Sequence, residues 1–452
     1  MRHERQYRGD KASRLAGHKQ REVTMGEGSA RLFVGIDWGT EEHQVCVEDA
    51  SGAVTEKRRI LHSGDGLAGM CDWLLELAGG DSSTVSVAIE VPHGPVVETL
   101  LERGFVVFSI NPKQLDRFRD RFSMAGAKDD RLDAYVLSDS LRTDEHCFRK
   151  VKLDEPEIIE LREFSRISGE LTTQRNRLSN KIREQLRRYY PQALELPADV
   201  DATWFLDLLM LASTPEKARR IRESSVGKIL RKRRVRKVDA KNVLQTLRKP
   251  GYTVAPGTPE AASSHVRLLV QQLRLVNEQL KDCRRQLAVM LDAFHASTVD
   301  TLAEESDEVE KCEQRSDVEI LRSLPGIGVV VLATLLAEAS QPLGDRAYHT
   351  LRALSGAGPV TRRTGKRRPM VMMRRACNPR LREALYHWAR VSVQHDPVSR
   401  EHYARLRAKG HSYGRALRGI GDRLLNVACA MLRNRTLYDP SMRHRTAQKE
   451  AA

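Results

Sequence analysis

Between residues 266 and 294 the apolar side chains keep a seven-residue beat: Val266, Leu273, Leu280, Leu287 and Phe294 fall seven apart, with Leu269, Val276, Cys283 and Met290 between them. A sustained a/d spacing of this kind specifies a long helix with one seam that another helix must cover, a coiled-coil pattern. Two partners satisfy the seam equally well: the charged, helix-periodic segment "EIIELREFSRISGELTTQRNRLSNKIREQLRRYY" from about 155 to 190, or a second subunit. Residues 151–315 therefore read as an almost wholly helical arm. Thr214 followed by Pro215 marks one helix start within it, and the basic run at 228–237 is either a solvated face or one that contacts phosphate.

The chain upstream has a different period. "RLFVGIDWG", "HQVCVED" and "AVTEKRRI" are short β-branched runs bounded by turn residues and read as a three-strand meander. "GLAGMCDWLLELAGG" then has helical spacing, "TVSVAIE" reads as a strand, "PVVETLLERG" as a helix and "FVVFSI" as a strand. Three strands followed by alternating helix and strand indicate an α/β layer over residues 31–150, closed by a helix that starts near Asp129. Residues 1–30 are polar, basic and aperiodic and are expected to be disordered, with Met25 an alternative start. A polar tail is expected over 441–452.

With 452 residues, 40% of them hydrophobic, the chain can build two or three cores. Its formal net charge of +16 favours a polyanionic partner, nucleic acid before a membrane surface, because clustered Lys and Arg gain by displacing counterions from phosphate. No apolar run approaches the length of a membrane span or follows a charged start as in a signal peptide, so the expected location is cytoplasmic, in association with the nucleoid. The seven cysteines stand singly, without CxxC pairs, which argues for reduced thiols and against structural zinc.

Against that positive charge, "AKDDRLDAYVLSDS" gathers Asp129, Asp130 and Asp133 within five residues. Asp37 closes the first strand in "GIDWGT", and Glu90 closes a later one in "AIEVPHG". Asp130 and Asp133 are three apart and share a helix face, so a helix laid across the sheet edge can carry both toward Asp37 and Glu90. Carboxylates so gathered repel one another unless divalent cations neutralise them, and hard oxygen donors suit Mg2+, with Mn2+ a substitute. Each acid alone has a plainer reading: Asp129 or Asp130 as an N-cap, its neighbours as complements to the helix dipole, Asp37 as a turn residue. The set as a whole has the layout of RNase H-like nucleases.

"GIDWGTEEHQVCV", "AIEVPHG" and "KDDRLDAYVLSD" resemble the N-terminal RuvC-like domain of the DEDD insertion-sequence transposases, the bridge-RNA-guided recombinases. The resemblance places the tetrad on Asp37, Glu90, Asp130 and Asp133, with Asp129 standing where many relatives carry a small hydroxyl residue. "LPGIGVVVLATLLAEA", "LRALSGAGPVTRRTGKRRP", "VMMRRACNPRLREALYHWARV" and "GRALRGIGDRLLNVACAMLRN" resemble the same family's C-terminal transposase domain, here 316–440. It implies a hydroxyl nucleophile that links covalently to DNA, at Thr364 in "RRTGKRR" where relatives carry serine, with Ser355 in "LSGAGP" as a fallback better suited to capping a helix. Arg362, Arg363, Lys366, Arg367 and Arg368 around it would hold a phosphate or form a solvated basic loop. "PGIG" at 325–328 is either an ordinary helix break or a turn whose N–H groups grip phosphate.

The implied fold class is α/β plus all-α: an RNase H-like (RuvC-like) domain, a helical coiled-coil arm and a helical transposase domain. The implied function is cutting and rejoining of donor and target DNA by a homo-oligomer, with a structured noncoding RNA supplying sequence recognition by base pairing. Two rivals stay open: a Mg2+-dependent junction or strand nuclease without a covalent intermediate, and a catalytically silent nucleic-acid binder. His387 and His395 lie eight apart without a third ligand and read as helix polar residues, and Trp388 and Cys377 as packing residues.

Overall fold

The computed structural model describes residues 31–122, 130–152, 154–304, 315–363 and 370–440, the side chains of Lys113, Arg362 and residues 297–304 excepted. The tails at 1–30 and 441–452 lie outside the described residues. The chain divides into two compact units, Met1–Leu153 and Asp154–Ala452.

The first unit is a mixed six-stranded sheet. In chain order its elements are β1 (Leu32–Asp37), β2 (Glu42–Glu48), β3 (Val54–Leu61), α1 (Gly64–Leu77), β4 (Val85–Ile89), α2 (Pro95–Glu102), β5 (Val106–Ser109), α3 (Pro112–Arg119), α4 (Asp130–Asp144) and β6 (Arg149–Lys150). The spatial order is β3-β2-β1-β4-β5-β6: β1 runs antiparallel to β2 and parallel to β4, β4 parallel to β5, and β6 antiparallel to β5. β1 and β4 are central and buried on both faces, which is why they read as continuous apolar runs. β3 is the outer strand, exposed along most of its length and rich in charge, a composition that discourages pairing with another chain. One face of the sheet packs Val34, Ile36, Val45 and Val87 against Met70 and Leu74 of α1 and Val97 and Leu100 of α2. The opposite face packs Phe33, Ala88 and Phe108 against Val136, Leu137 and Leu141 of α4.

α4 lies unusually close to β1. A Cβ added at Gly35 would stand 1.9 Å from the Ala134 carbonyl oxygen and 2.6 Å from the Ser138 nitrogen, so the helix backbone occupies the space a side chain would take. Glycine within a strand permits such an approach. Alongside it, Ser138 of α4 donates its hydroxyl to the buried Glu48 of β2, and Arg142 of α4 lies 3.5 Å from the same carboxylate.

The second unit is largely helical. Its first long helix, α5 (Pro156–Tyr189), is followed by α6 (Thr203–Leu211), α7 (Pro215–Arg220), α8 (Glu223–Lys232), α9 (Ala240–Leu247) and the 47-residue α10 (Thr258–Glu304). The heptad positions on α10 are buried from Val266 to Leu287, and Leu291 continues the line where Met290 and Phe294 are only partly buried. α5 covers this seam within the same chain and runs antiparallel to α10: Leu178, Ile182 and Leu186 share a core with Val266, Leu269 and Leu273, whereas Leu161 shares another with Leu287 and Leu291. Thr214 caps α7 with its side chain and Pro215 opens that helix, as the spacing predicts. α8 buries Val226 and Leu230 and exposes Arg231 and Lys232, so the basic run faces solvent.

The remainder comprises α11 (Asp317–Arg322), α12 (Val329–Glu338), α13 (Ser340–Gly344), α14 (Tyr348–Leu354), a two-strand ribbon of β7 (Val360–Arg362) with β8 (Met370–Met372), α15 (Pro379–His395), α16 (Pro397–Ala408) and α17 (Tyr413–Asn434). Trp388, fully buried, donates its indole N–H to the Pro325 carbonyl at 3.0 Å, and Ser392 donates to the same oxygen at 2.6 Å. Gly326 has φ +79° and no room for a Cβ beside the Ser392 nitrogen. The Pro-Gly-Ile-Gly turn packs against α15 through Pro325 and Gly326.

Candidate functional site

Asp37 ends β1 and is half-buried; Asp130 and Asp133 occupy the first turn of α4, one exposed and the other 2% exposed. Carboxylate oxygens of the three lie within 4.8 Å of one another. Two features bring them together. The bare Cα of Gly35 lets α4 settle on β1, and the i,i+3 spacing then directs both helical acids to the end of that strand. The turn after Asp37 is pinned in addition: the Gly39 N–H donates to His43 Nδ1 at 3.3 Å, leaving Nε2 to donate to His62 Nδ1 at 2.9 Å. Burial, reinforced by His62, lowers the His43 pKa and keeps that ring neutral.

Glu90 directly follows β4. The parallel register Ile36↔Ile89 sets it alongside Asp37, but it is not among the acids whose oxygens share the 4.8 Å cluster. Asp130 stands in the cluster, and Asp129, the alternative to it, lies outside the described residues.

Asp133 already has a cationic partner that the sequence pattern does not disclose. Arg119, at the end of α3, donates Nε to Asp133 at 2.6 Å and a terminal nitrogen to Asp116 at 2.8 Å. The hydrogen bond to Asp133 raises the Arg119 pKa further, so the guanidinium is a fixed positive charge against the cluster. The i,i+3 ion pair of Asp116 with Arg119 could have been sought in "NPKQLDRFRDRF", yet nothing in that string names Asp133 as a further target.

On the other flank of α4 a groove of about 280 Å³ is lined by Gln44, Cys46, Lys57, Arg59 and Arg131 among others. Gln44 pairs with Asp37 across the β1–β2 ladder and Arg131 adjoins Asp130, so this basic groove abuts the acids. A second trio, Asp144, His146 and Cys147, has donor atoms equally close. These three belong to one local turn, and Asp144 is held by Arg121 at 3.3 Å.

Of the expected nucleophile region, Thr364, Lys366, Arg367 and Arg368 lie outside the described residues. Arg362 closes β7 opposite Met370, and Arg363 is exposed just beyond it. Ser355 is the C-cap residue of α14, 4% exposed, with its hydroxyl 3.5 Å from the Arg352 carbonyl, as a capping role predicts.

The chain carries two marks of transposases. One transposase profile, of the DEDD IS110 type, matches residues 34–191, and a second, described as the transposase IS116/IS110/IS902 family, matches residues 318–404. Among curated proteins, the mini-circle putative transposase for IS117 of Streptomyces coelicolor is 30% identical over 92% of this chain and 97% of its own length. The putative transposase y4uE of Sinorhizobium fredii is 51% identical over 49% of this chain, a match that spans 62% of that relative. An IS116 protein of Streptomyces clavuligerus is 26% identical over 91% of the chain. The chain belongs to the IS110-type family of insertion-sequence transposases. Among the described residues no helix is long and apolar enough to cross a membrane.

Proposed function

We propose that this transposase cuts and rejoins DNA strands with a carboxylate-held Mg2+ centre and a hydroxyl nucleophile, and that a structured noncoding RNA guides it. The observation that carries the reading is the convergence of Asp37 from β1 with Asp130 and Asp133 from α4. The sheet order β3-β2-β1-β4-β5, with β2 antiparallel to its neighbours, supports an RNase H-like (RuvC-like) assignment for the first unit.

The donor set fits a hard divalent cation: all oxygen, one deeply buried, and gathered within 4.8 Å of one another. Asp37, Asp130 and Asp133 would hold the ion, with Glu90 the neighbouring carboxylate on the next strand. When bound, Mg2+, or Mn2+ in its place, supplies a Lewis acid for phosphate oxygens. Lys57, Arg59 and Arg131 line a path for the DNA backbone beside it.

Thr364 is the proposed nucleophile. Its Oγ attacks phosphorus, the Oγ–P bond forms as the P–O bond of the strand breaks, and the proton lost by the hydroxyl is balanced by one gained at the released sugar oxygen. Rejoining is the reverse step at a new end. The threonine methyl narrows the rotamer choice relative to the serine of relatives, so the phosphate must be held firmly, a task assigned to Arg362, Arg363, Lys366, Arg367 and Arg368. The net charge of +16 supports a further polyanionic partner, and the guide RNA is assigned on the family resemblance. The arm supports a homo-oligomer, because Leu268, Leu275 and Val289 stand exposed along α10 at multiples of seven residues, outside the seam covered by α5.

The test is a covalent one. The purified protein is incubated with the noncoding RNA flanking its gene, matching DNA and Mg2+, digested, and searched by mass spectrometry for a nucleotide on Thr364. An adduct there that Asp37→Asn abolishes supports the reading. Strand cleavage that persists in Thr364→Ala without any adduct favours a nuclease instead, and an adduct on Ser355 relocates the nucleophile.

A further inference from the structure

The second unit holds a group of arginines that packing alone does not explain. Arg382 of α15 and Arg418 of α17 line a cavity of about 400 Å³ together with Ser355, Gly356, Met373 and Leu385. Arg415 and Arg418 line an adjoining one of about 230 Å³, which shares Gly356, Ala357 and Met373 with the first. Arg418 is partly buried, and burial, with repulsion from Arg382 and Arg415, lowers its pKa. Among the described residues no carboxylate pairs with it. The acid on the wall of the smaller cavity, Asp422, is already engaged by Arg352 at 2.8 Å and the Tyr348 hydroxyl at 2.9 Å. Glu383 on the rim of the larger one is exposed.

Arg382 is held in place by the main chain. One terminal nitrogen donates to the Arg374 and Arg375 carbonyls at 2.8 and 3.1 Å, while its Nε is buried without an acceptor, as is Nε of Arg374. Gly356 makes room for this: with φ +71° and no Cβ, it leaves the space where Arg382 nitrogens stand 3.2 Å from an ideal Cβ position. Like charges concentrated against an apolar cavity are costly, and an anion removes the cost. The cavity volume falls in the range of small-ligand sites, and its mixture of apolar wall and guanidinium matches a nucleotide, whose phosphate is charged and whose base and sugar are largely not.

We infer that Arg382, Arg415 and Arg418 form a phosphate-binding site for one nucleotide of a DNA strand, with Met373 and Leu385 as the wall for its uncharged part. The choice of DNA as the source of the phosphate rests on the proposed function; the phosphate site itself does not.

Thermal denaturation of the full-length protein, in inorganic phosphate and in chloride at matched ionic strength, tests the site independently of catalysis. Ligand binding to the folded state raises Tm. We expect phosphate to raise Tm of the wild type, Arg418→Gln to lose most of that increment while melting in chloride no lower than wild type, and Arg415→Gln to lose part of it. A control at an exposed arginine far along α5, Arg187→Gln, should retain the increment. If Arg418→Gln keeps it, behaves like the control, or melts well below wild type in chloride, the site is refuted. A second arm measures binding of a DNA duplex and of an RNA duplex of the same sequence against salt. Arg418→Gln should reduce the slope of log affinity on log salt by about 1 for DNA. A reduction confined to RNA overturns the choice of DNA, and this outcome is separable from failure of the covalent test above, which leaves the phosphate increment untouched.

Discussion

Arg119 and Asp133 form an ion pair beside the proposed cation site of the first unit. The two side chains are 20% and 3% exposed, and removing one partner of a pair buried to this degree leaves an uncompensated charge. Arg119→Ala should therefore destabilise the metal-free protein by about 3 kcal/mol, and saturating Mn2+ should recover much of that loss, because the cation replaces the missing positive charge beside Asp133. Chemical denaturation with and without Mn2+ checks both halves; a loss indifferent to Mn2+ would separate Arg119 from the cation site. The acids themselves were legible as strand-end residues and an i,i+3 pair. Arg119 was not, because an arginine's partner is chosen by tertiary packing, and α3 has no periodic signal strong enough to announce it. The proposal of Thr364 rests on the family resemblance alone, since that residue lies outside the described ones.

At the level of elements, α4 on β1 is the construction that makes the site. The strands β1 to β5 and the helices α1, α2 and α4 follow from apolar period and turn residues, whereas α3 is mostly polar and charged, with only Leu115 and Phe118 as apolar positions, and β6 is two residues long. Gly35 could have been read as the point of close approach, since a strand interior seldom carries glycine without a reason. Gly35→Ala should push α4 off the strand, lowering stability by roughly 3 kcal/mol through overpacking and weakening cation binding at least tenfold, both readable by calorimetry. Beneath the same helix, burial raises the Glu48 pKa despite the Ser138 hydrogen bond and Arg142. The sign follows from linkage: the folded state holds this proton more tightly than the unfolded chain, so stability is full below the ordinary carboxylate value of 4.5 and is lost as pH rises through the higher folded value. Glu48→Gln should consequently be more stable than wild type at pH 7 and gain nothing at pH 4, as urea titrations at the two pH values will show.

Across the whole molecule, the heptad line on α10 was readable but its partner was not, because a seam specifies a helix-shaped cover without naming the chain that provides it. α5 provides it here, and the leftover apolar stripe of Leu268, Leu275 and Val289 is where a second copy would add its own helix. Since Leu275 is 56% exposed, Leu275→Glu should leave the fold intact and lower the oligomeric mass seen by light scattering. An unchanged mass would remove α10 from the interface. If Asp37, Asp130 and Asp133 form one cation site, titration of Mn2+ followed by electron paramagnetic resonance should show saturable binding in the wild type that falls at least tenfold in Asp37→Asn and again in Asp133→Asn; wild-type binding in both variants would mean that the three acids do not share a cation.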